Sequence, residues 1–383
     1  MDGGYIQVSN TDMPAGYTYF AQFVIHDLTG GPTGRLDLRS LYGAGPEGST
    51  NLYEADRYGT LKRGRYLGTG TLHDVPRTVD GVAIMGDARN DRTIMLGQVH
   101  SAFVELHNMT LASLDGRDRV TAFAEARRRV VRHYHRLVAD DLLPRFVDRP
   151  TIRQAFDTRG IRPREIVPLE FSQAVGQVGH AMVKPRYRIN DVVQAPVFRR
   201  DGAWAPYCDL RGQPLDERAA IDWCHFFPLG EPVVMQRAGK FNTRICRPLF
   251  EVPVTGPLGV RLVSLPYVAL SAAARCGLPS GETVARRLGR EPMARETVWQ
   301  RLPYASAESP LWFYVLREAE TQQGGRRLGD VGGLIFARVV LDALRQSGVA
   351  DQALLPQSAL ADGTSPSVGG TLSLVASGVS PIN

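Results

Sequence analysis

Three separated stretches carry the side chains best suited to acid–base and metal chemistry. The first is Tyr19-Phe20-Ala21-Gln22-Phe23-Val24-Ile25-His26-Asp27-Leu28-Thr29. Gln22 and His26 are four residues apart, so in a helix they share one face. An imidazole with its ordinary pKa of about 6.5 can take and return a proton near neutral pH. Alone, such a histidine is more often a satisfied structural residue. The second stretch, Gly86-Asp87-Ala88-Arg89-Asn90-Asp91, runs into a periodic segment that contains His100 and His107. Arg89 offers a fixed positive charge to an oxygen that becomes negative during reaction, and the plainer alternative is a surface pair with Asp87. The third, Glu170 through Met182, holds His180 beside Gly176 and Gly179, whose missing side chains would let a flat group approach the backbone.

In this order, His26, Arg89 and His180 resemble the animal-type haem peroxidase family, the peroxidase-cyclooxygenase superfamily, as a bacterial member would carry it. Two later segments match the family in sequence: Gly277-Leu278-Pro279-Ser280-Gly281, and Pro310-Leu311-Trp312-Phe313-Tyr314 through Gly329-Asp330-Val331-Gly332-Gly333. The resemblance covers residues 17 to 345. It implies that His180 ligates a haem iron, for which neutral imidazole is well suited. It also implies that His26 is the distal acid–base, that Arg89 stabilises the departing oxygen, and that Gln22 holds water or halide beside the iron.

The departures from the family carry their own expectations. Mammalian members esterify the haem through carboxylates at the positions of Ile25 and Arg92, so haem b should be held non-covalently, with Arg92 facing a propionate. Gln177, counted among the cofactor-binding residues, stands where fatty-acid oxygenases of the superfamily carry a radical-forming tyrosine. The family's Leu-Asn-Leu-x-Arg-Gly segment becomes Val268-Ala269-Leu270-Ser271-Ala272-Ala273, which removes the partners of the proximal imidazole and of a propionate. The family's calcium ligands correspond to Asp27, Thr33, the Arg35 carbonyl and Asp37, but Arg39 occupies the next position. Its guanidinium is expected to replace calcium by pairing with Asp27 and Asp37.

The elements that position these residues read as mainly α, with helices around a buried haem, long irregular loops and minimal β. Residues 1–350 read as one haem peroxidase-like domain and 351–383 as an irregular tail. Residues 30–82 read as loops, 88–113 and 117–144 as helices, the second closed by Pro144, and 165–183 as one proximal helix. A small strand pair is expected around Tyr187-Arg188-Ile189 and Pro196-Val197-Phe198, and further helices at 217–227, 266–275, 281–288, 293–300, 309–322 and 331–347.

A hydrophobic fraction of 43% suffices for a sizeable core, and the net charge of +6 comes from arginines scattered among acids, which excludes a nucleic-acid footprint. Cys208, Cys224, Cys246 and Cys276 lack metal-ligand spacing, and His73, His133, His135 and His225 carry no signal of a second metal. No segment reaches the ~20 apolar residues of a membrane span, so a cytoplasmic catalytic core with little added is expected. The expected function is a haem-dependent oxidoreductase that uses hydrogen peroxide, through a ferryl state, to oxidise a small organic substrate, in specialised metabolism. The alternatives are a haem oxygenase or peroxygenase acting on one metabolite, and a non-catalytic haem-binding homologue. No nucleic acid or membrane partner is expected.

Overall fold

The computed structural model describes residues 7–31, 33–68, 70–157, 167–199, 206–230, 232–256, 259–299, 308–349 and 366–382. Its architecture is mainly α. The helix Gly16–Thr29 lies at the centre, with Tyr17, Tyr19, Phe20, Phe23, Val24 and Leu28 all buried. A helix that is apolar nearly all round must be enclosed by others. Here Phe20 and Phe23 stack on Phe103 of the helix Ile94–Ala112, at ring separations of 6.4 and 5.3 Å, and Phe23 meets Tyr134 edge-on at 6.1 Å. Thr93 and Asp118 cap the helices Ile94–Ala112 and Arg119–Arg136 by accepting backbone N–H groups of Leu96 and Thr121.

The expected helix 117–144 does not stop at Pro144. It widens into a π turn over Leu137–Leu142 and continues to Phe146, with the proline tolerated at the start of the short helix Leu143–Phe146. On the other side of the core, Asp330–Gln346 packs against Arg149–Asp157 and Leu311–Gln323. The buried Glu318 carboxylate accepts the Val331 and Gly332 N–H groups, both at 3.0 Å, and so satisfies donors that the first turn of a helix leaves free.

The β content consists of three antiparallel pairs: Ser9–Pro14 with Arg237–Gly239, Arg186–Arg188 with Gln194–Pro196, and Val252–Gly256 with Gly259–Val263. The middle pair puts Tyr187 opposite Ala195, so its second strand begins two residues earlier than expected.

Three other expectations fail. The stretch 165–183 is not one helix. From Leu169 it runs as the short turns Leu169–Ser172, Val175–Gln177 and Gly179–Met182, and 158–166 lie outside the described residues. Its glycines, which loosen the helix, also allow the close passage that the site requires. The segment 217–227 holds only the single turns Glu217–Ala219 and Trp223–His225, each opened by an aspartate that binds the backbone two residues on. Within the C-terminal segment, Val368–Ala376 is a helix whose Val368, Leu372 and Val375 enter the main core, a 3.6-residue pattern that the surrounding Gly, Ser and Thr obscure.

The expected helix at 88–113 begins properly at Ile94, because Asp87 and Thr93 each cap a separate element and divide it. The loops before it are braced by Arg77, which bonds Asp74 at 2.9 Å and Asp91 at 2.7 and 2.8 Å. That brace fixes the turn Ala88–Asp91 from below.

Candidate active site

A cavity of about 800 Å³ lies between the Gly16–Thr29 helix, the turn Ala88–Asp91 and the broken segment ending at Met182. All six residues assigned to catalysis or cofactor binding from sequence line it: Gln22, His26, Arg89, Arg92, Gln177 and His180. Asp27, Thr33, Arg35 and Asp37 do not. Helical geometry puts Asp27 on the face opposite the cavity, one residue on from His26. The strand-like stretch Arg211–Gly212 closes one side. Gly212 lies so close to the Asp91 carbonyl that a Cβ there would stand 1.6 Å from it.

His26 approaches the cavity with one nitrogen engaged. Its Nδ1 is 2.8 Å from Oδ1 of the fully buried Asn90. With the amide oxygen as acceptor, Nδ1 carries the proton and Nε2 presents a lone pair. Burial, opposed by the Asn90 hydrogen bond and reinforced by the Arg89 charge, lowers the His26 pKa to about 4. The imidazole is therefore a neutral base across the neutral range.

Arg89 stands between the cavity and Asp87. It lines the cavity, and it is also paired with Asp87 at 2.6 Å. Its NH1 group donates to the Thr29 hydroxyl and NH2 to the His26 carbonyl, both at 2.9 Å. Of its five N–H groups, one on NH1 is left to face a ligand. Arg92, by contrast, is exposed, lines the cavity and takes part in no ion pair among the described residues.

Opposite stands His180. Its Nδ1 is buried with no hydrogen-bond partner, which leaves Nε2 as the nitrogen open to the cavity. Burial, then the charges of Arg92 and His26, lower its pKa to about 4, so the ring is a neutral donor. Ala269 and Ala272, at the positions where the resemblance places asparagine and arginine, both line the cavity and offer only methyl groups. Trp312 meets the His180 ring edge-on at 6.0 Å. Gln177 turns its amide to the Ser172 carbonyl at 2.9 Å. The cavity, the open nitrogen and the two glycines together suit a flat, iron-bearing ligand.

Residues 31–212 match the family model of the animal haem peroxidases. The fold is similar to that of peroxidase A from Dictyostelium discoideum, with a TM-score of 0.66 and 15% identity over 98% of this chain and 87% of that one. With that match over residues 31–212, the fold is that of the peroxidase-cyclooxygenase superfamily. Two fatty acid alpha-dioxygenases share the superfamily fold. The Arabidopsis thaliana enzyme has a TM-score of 0.54 and 15% identity, covering 91% of this chain and 59% of the other. The Oryza sativa enzyme has 0.56 and 12%, covering 98% and 74%. No curated protein matches the sequence. The family match supports an oxidoreductase that binds haem.

The expected pairing of the Arg39 guanidinium with Asp27 and Asp37 is not what the structure shows. Asp27 accepts the backbone N–H groups of Leu38 and Arg39, at 3.1 and 3.0 Å, while the Arg39 side chain is exposed and lies against Gly31. Burial and then the charge of Asp37 raise the Asp27 pKa to about 7. Neither carboxylate is ion-paired among the described residues.

Asn90, Arg211 and Trp312 were missed from sequence. Asn90 adjoins Arg89 and could have been found only by asking what holds His26. The remaining histidines are mostly accounted for by packing: His107 by Tyr42 and Gly59, His133 by Thr371, His135 by Leu36, and His73 by Glu105 at 2.9 Å. No helix is long and apolar enough to cross a membrane among the described residues.

Proposed function

We propose that the chain is a haem b peroxidase that oxidises a small organic substrate with hydrogen peroxide. The observation that carries this is the pair of neutral imidazoles, His26 and His180, each directing an unengaged Nε2 into one cavity from different elements. When bound, the haem supplies the iron that accepts peroxide and stores its oxidising equivalents. His180 holds that iron through Nε2. His26 takes the proton from the near peroxide oxygen at Nε2 and returns it to the leaving one, a role that general acid–base catalysis makes worth ~10²–10⁴ in rate. Arg89, clamped by Asp87 and Thr29, offers its remaining N–H to the oxygen that becomes negative. Gln22 holds water beside His26.

Ile25 and Arg92 supply no carboxylate for an ester bond, so the haem is non-covalent, and the unpaired Arg92 guanidinium receives a propionate. The Asp27 and Asp37 carboxylates, with Thr33 and the Arg35 carbonyl, take a calcium ion, since among the described residues no cationic side chain pairs with either carboxylate. Gln177, committed to Ser172, provides no phenol for tyrosyl-radical oxygenation, which favours peroxidase over dioxygenase chemistry.

Rapid mixing of holoprotein with one equivalent of peroxide tests the reading. The wild type should show a spectral intermediate, and His26→Ala should keep haem yet form it ~10²-fold or more slowly. Equal rates for the two would refute it.

A further inference from the structure

The turn Trp223–His225 contributes nothing to the cavity, yet it gathers a second set of metal-type donors. A carboxylate oxygen of Asp222, the sulfur of Cys224 and a ring nitrogen of His225 all lie within 4.8 Å of one another. Cys224 and His225 are buried, at 5% and 2% exposure, while Asp222 faces solvent and spends one oxygen on the Cys224 N–H at 3.1 Å. His225 carries an independent mark. Its Nε2 is buried and has no hydrogen-bond partner. The Asp191 Oδ1 is 3.7 Å away, beyond hydrogen-bond reach, and is already held by Arg188 at 2.5 Å.

We propose that Asp222, Cys224 and His225 form a metal site, distinct from the haem cavity, that takes zinc. Thiolate, imidazole and carboxylate together are a zinc set, whereas calcium and magnesium require oxygen throughout. Zinc bonds of about 2.0–2.3 Å in a tetrahedron put ligand atoms roughly 3.3–3.8 Å apart. The three donors, within 4.8 Å of one another, must draw closer to meet that spacing. Solvent completes the tetrahedron around the three protein donors. Binding releases the Cys224 thiol proton to solvent.

The ion braces the turn Trp223–His225, which leads straight into Phe226 and Phe227. Those rings pack edge-on against Tyr19 at 6.5 Å and Tyr17 at 5.3 Å, on the helix that carries Gln22 and His26. Zinc would thus stiffen the support behind the distal residues without touching haem.

The test equilibrates holoprotein, whose His180 is occupied, with zinc sulfate and then zinc-free buffer, and measures zinc per chain and the zinc K-edge spectrum. One zinc with a sulfur neighbour near ~2.3 Å is expected. Cys224→Ser and His225→Gln should each weaken retention on the order of tenfold or more, with haem content unchanged. No retained zinc, a shell without sulfur, or undiminished binding in the Cys224→Ser/His225→Gln double variant would overturn the proposal. The spectrum of the wild type decides even where a variant does not fold.

Discussion

Replacing Asn90 isolates what orients the distal base. Its Oδ1 makes the hydrogen bond to His26 Nδ1 at 2.8 Å, its Nδ2 has no partner, and the residue is fully buried. Asn90→Leu therefore severs one side-chain hydrogen bond and no other, at similar volume. A buried hydrogen bond is worth about 0.5–1.5 kcal/mol net, which translates into a roughly 2- to 13-fold bias towards the tautomer with Nε2 free. The second-order rate of the peroxide reaction, followed by stopped-flow absorbance on holoprotein, should fall by at most that factor, well short of the ~10²-fold expected for His26→Ala.

A pH profile separates positioning from general damage. His26 titrates at about 4, because burial depresses it while Asn90 partly restores it. As pH falls through that value, Nε2 gains a proton and the rate drops; above it the rate is flat. Losing Asn90 removes the restoring interaction, so the acid limb should move lower still. A variant with the wild-type rate and limb, or one that loses haem, would refute the assignment.

Further outcomes follow from the same geometry. His180→Gly should release haem or leave it weakly ligated, and added imidazole should restore the ligated spectrum; failure of the rescue would show that Nε2 does not face the iron. Acidified organic solvent should extract all wild-type haem, whereas Arg92→Glu, after exposure to peroxide, should retain some on the polypeptide. Metal analysis of protein purified without chelator should find calcium, and chelation should lower the Tm. The sign follows from Asp27. Without the ion its pKa, about 7, lies above the unfolded value near 3.8, so its contribution to stability falls as pH rises between the two. The chelator effect, on the order of a few kcal/mol, should then be larger at pH 8 than at pH 6.

The cavity residues were legible because each sits in a stretch whose residue types survive as motifs: Gln22 and His26 on one helical face, Arg89 after an aspartate cap, and His180 between small residues. What was not legible depends on partners far away in sequence. Asn90 meets His26 across 64 positions, and Asp191 faces His225 across a hairpin turn and a loop. Arg39 misled because position suggested a charge pair while its backbone, not its guanidinium, meets Asp27. The helix Val368–Ala376 hid behind glycine and serine, since its stability comes from the core it enters and not from propensity.

The orphaned Nδ1 of His180 also sets a clock. A proximal ring held by neither a carbonyl nor an amide is fixed by packing alone, by Trp312 at its edge and the methyl groups of Ala269 and Ala272 nearby. Such a ring can swing away from its metal without disturbing a single helix. With His180 as the proposed ligand, cofactor loss would then be a local event with its own rate, separable from unfolding, and haem would exchange while the surrounding scaffold stays intact.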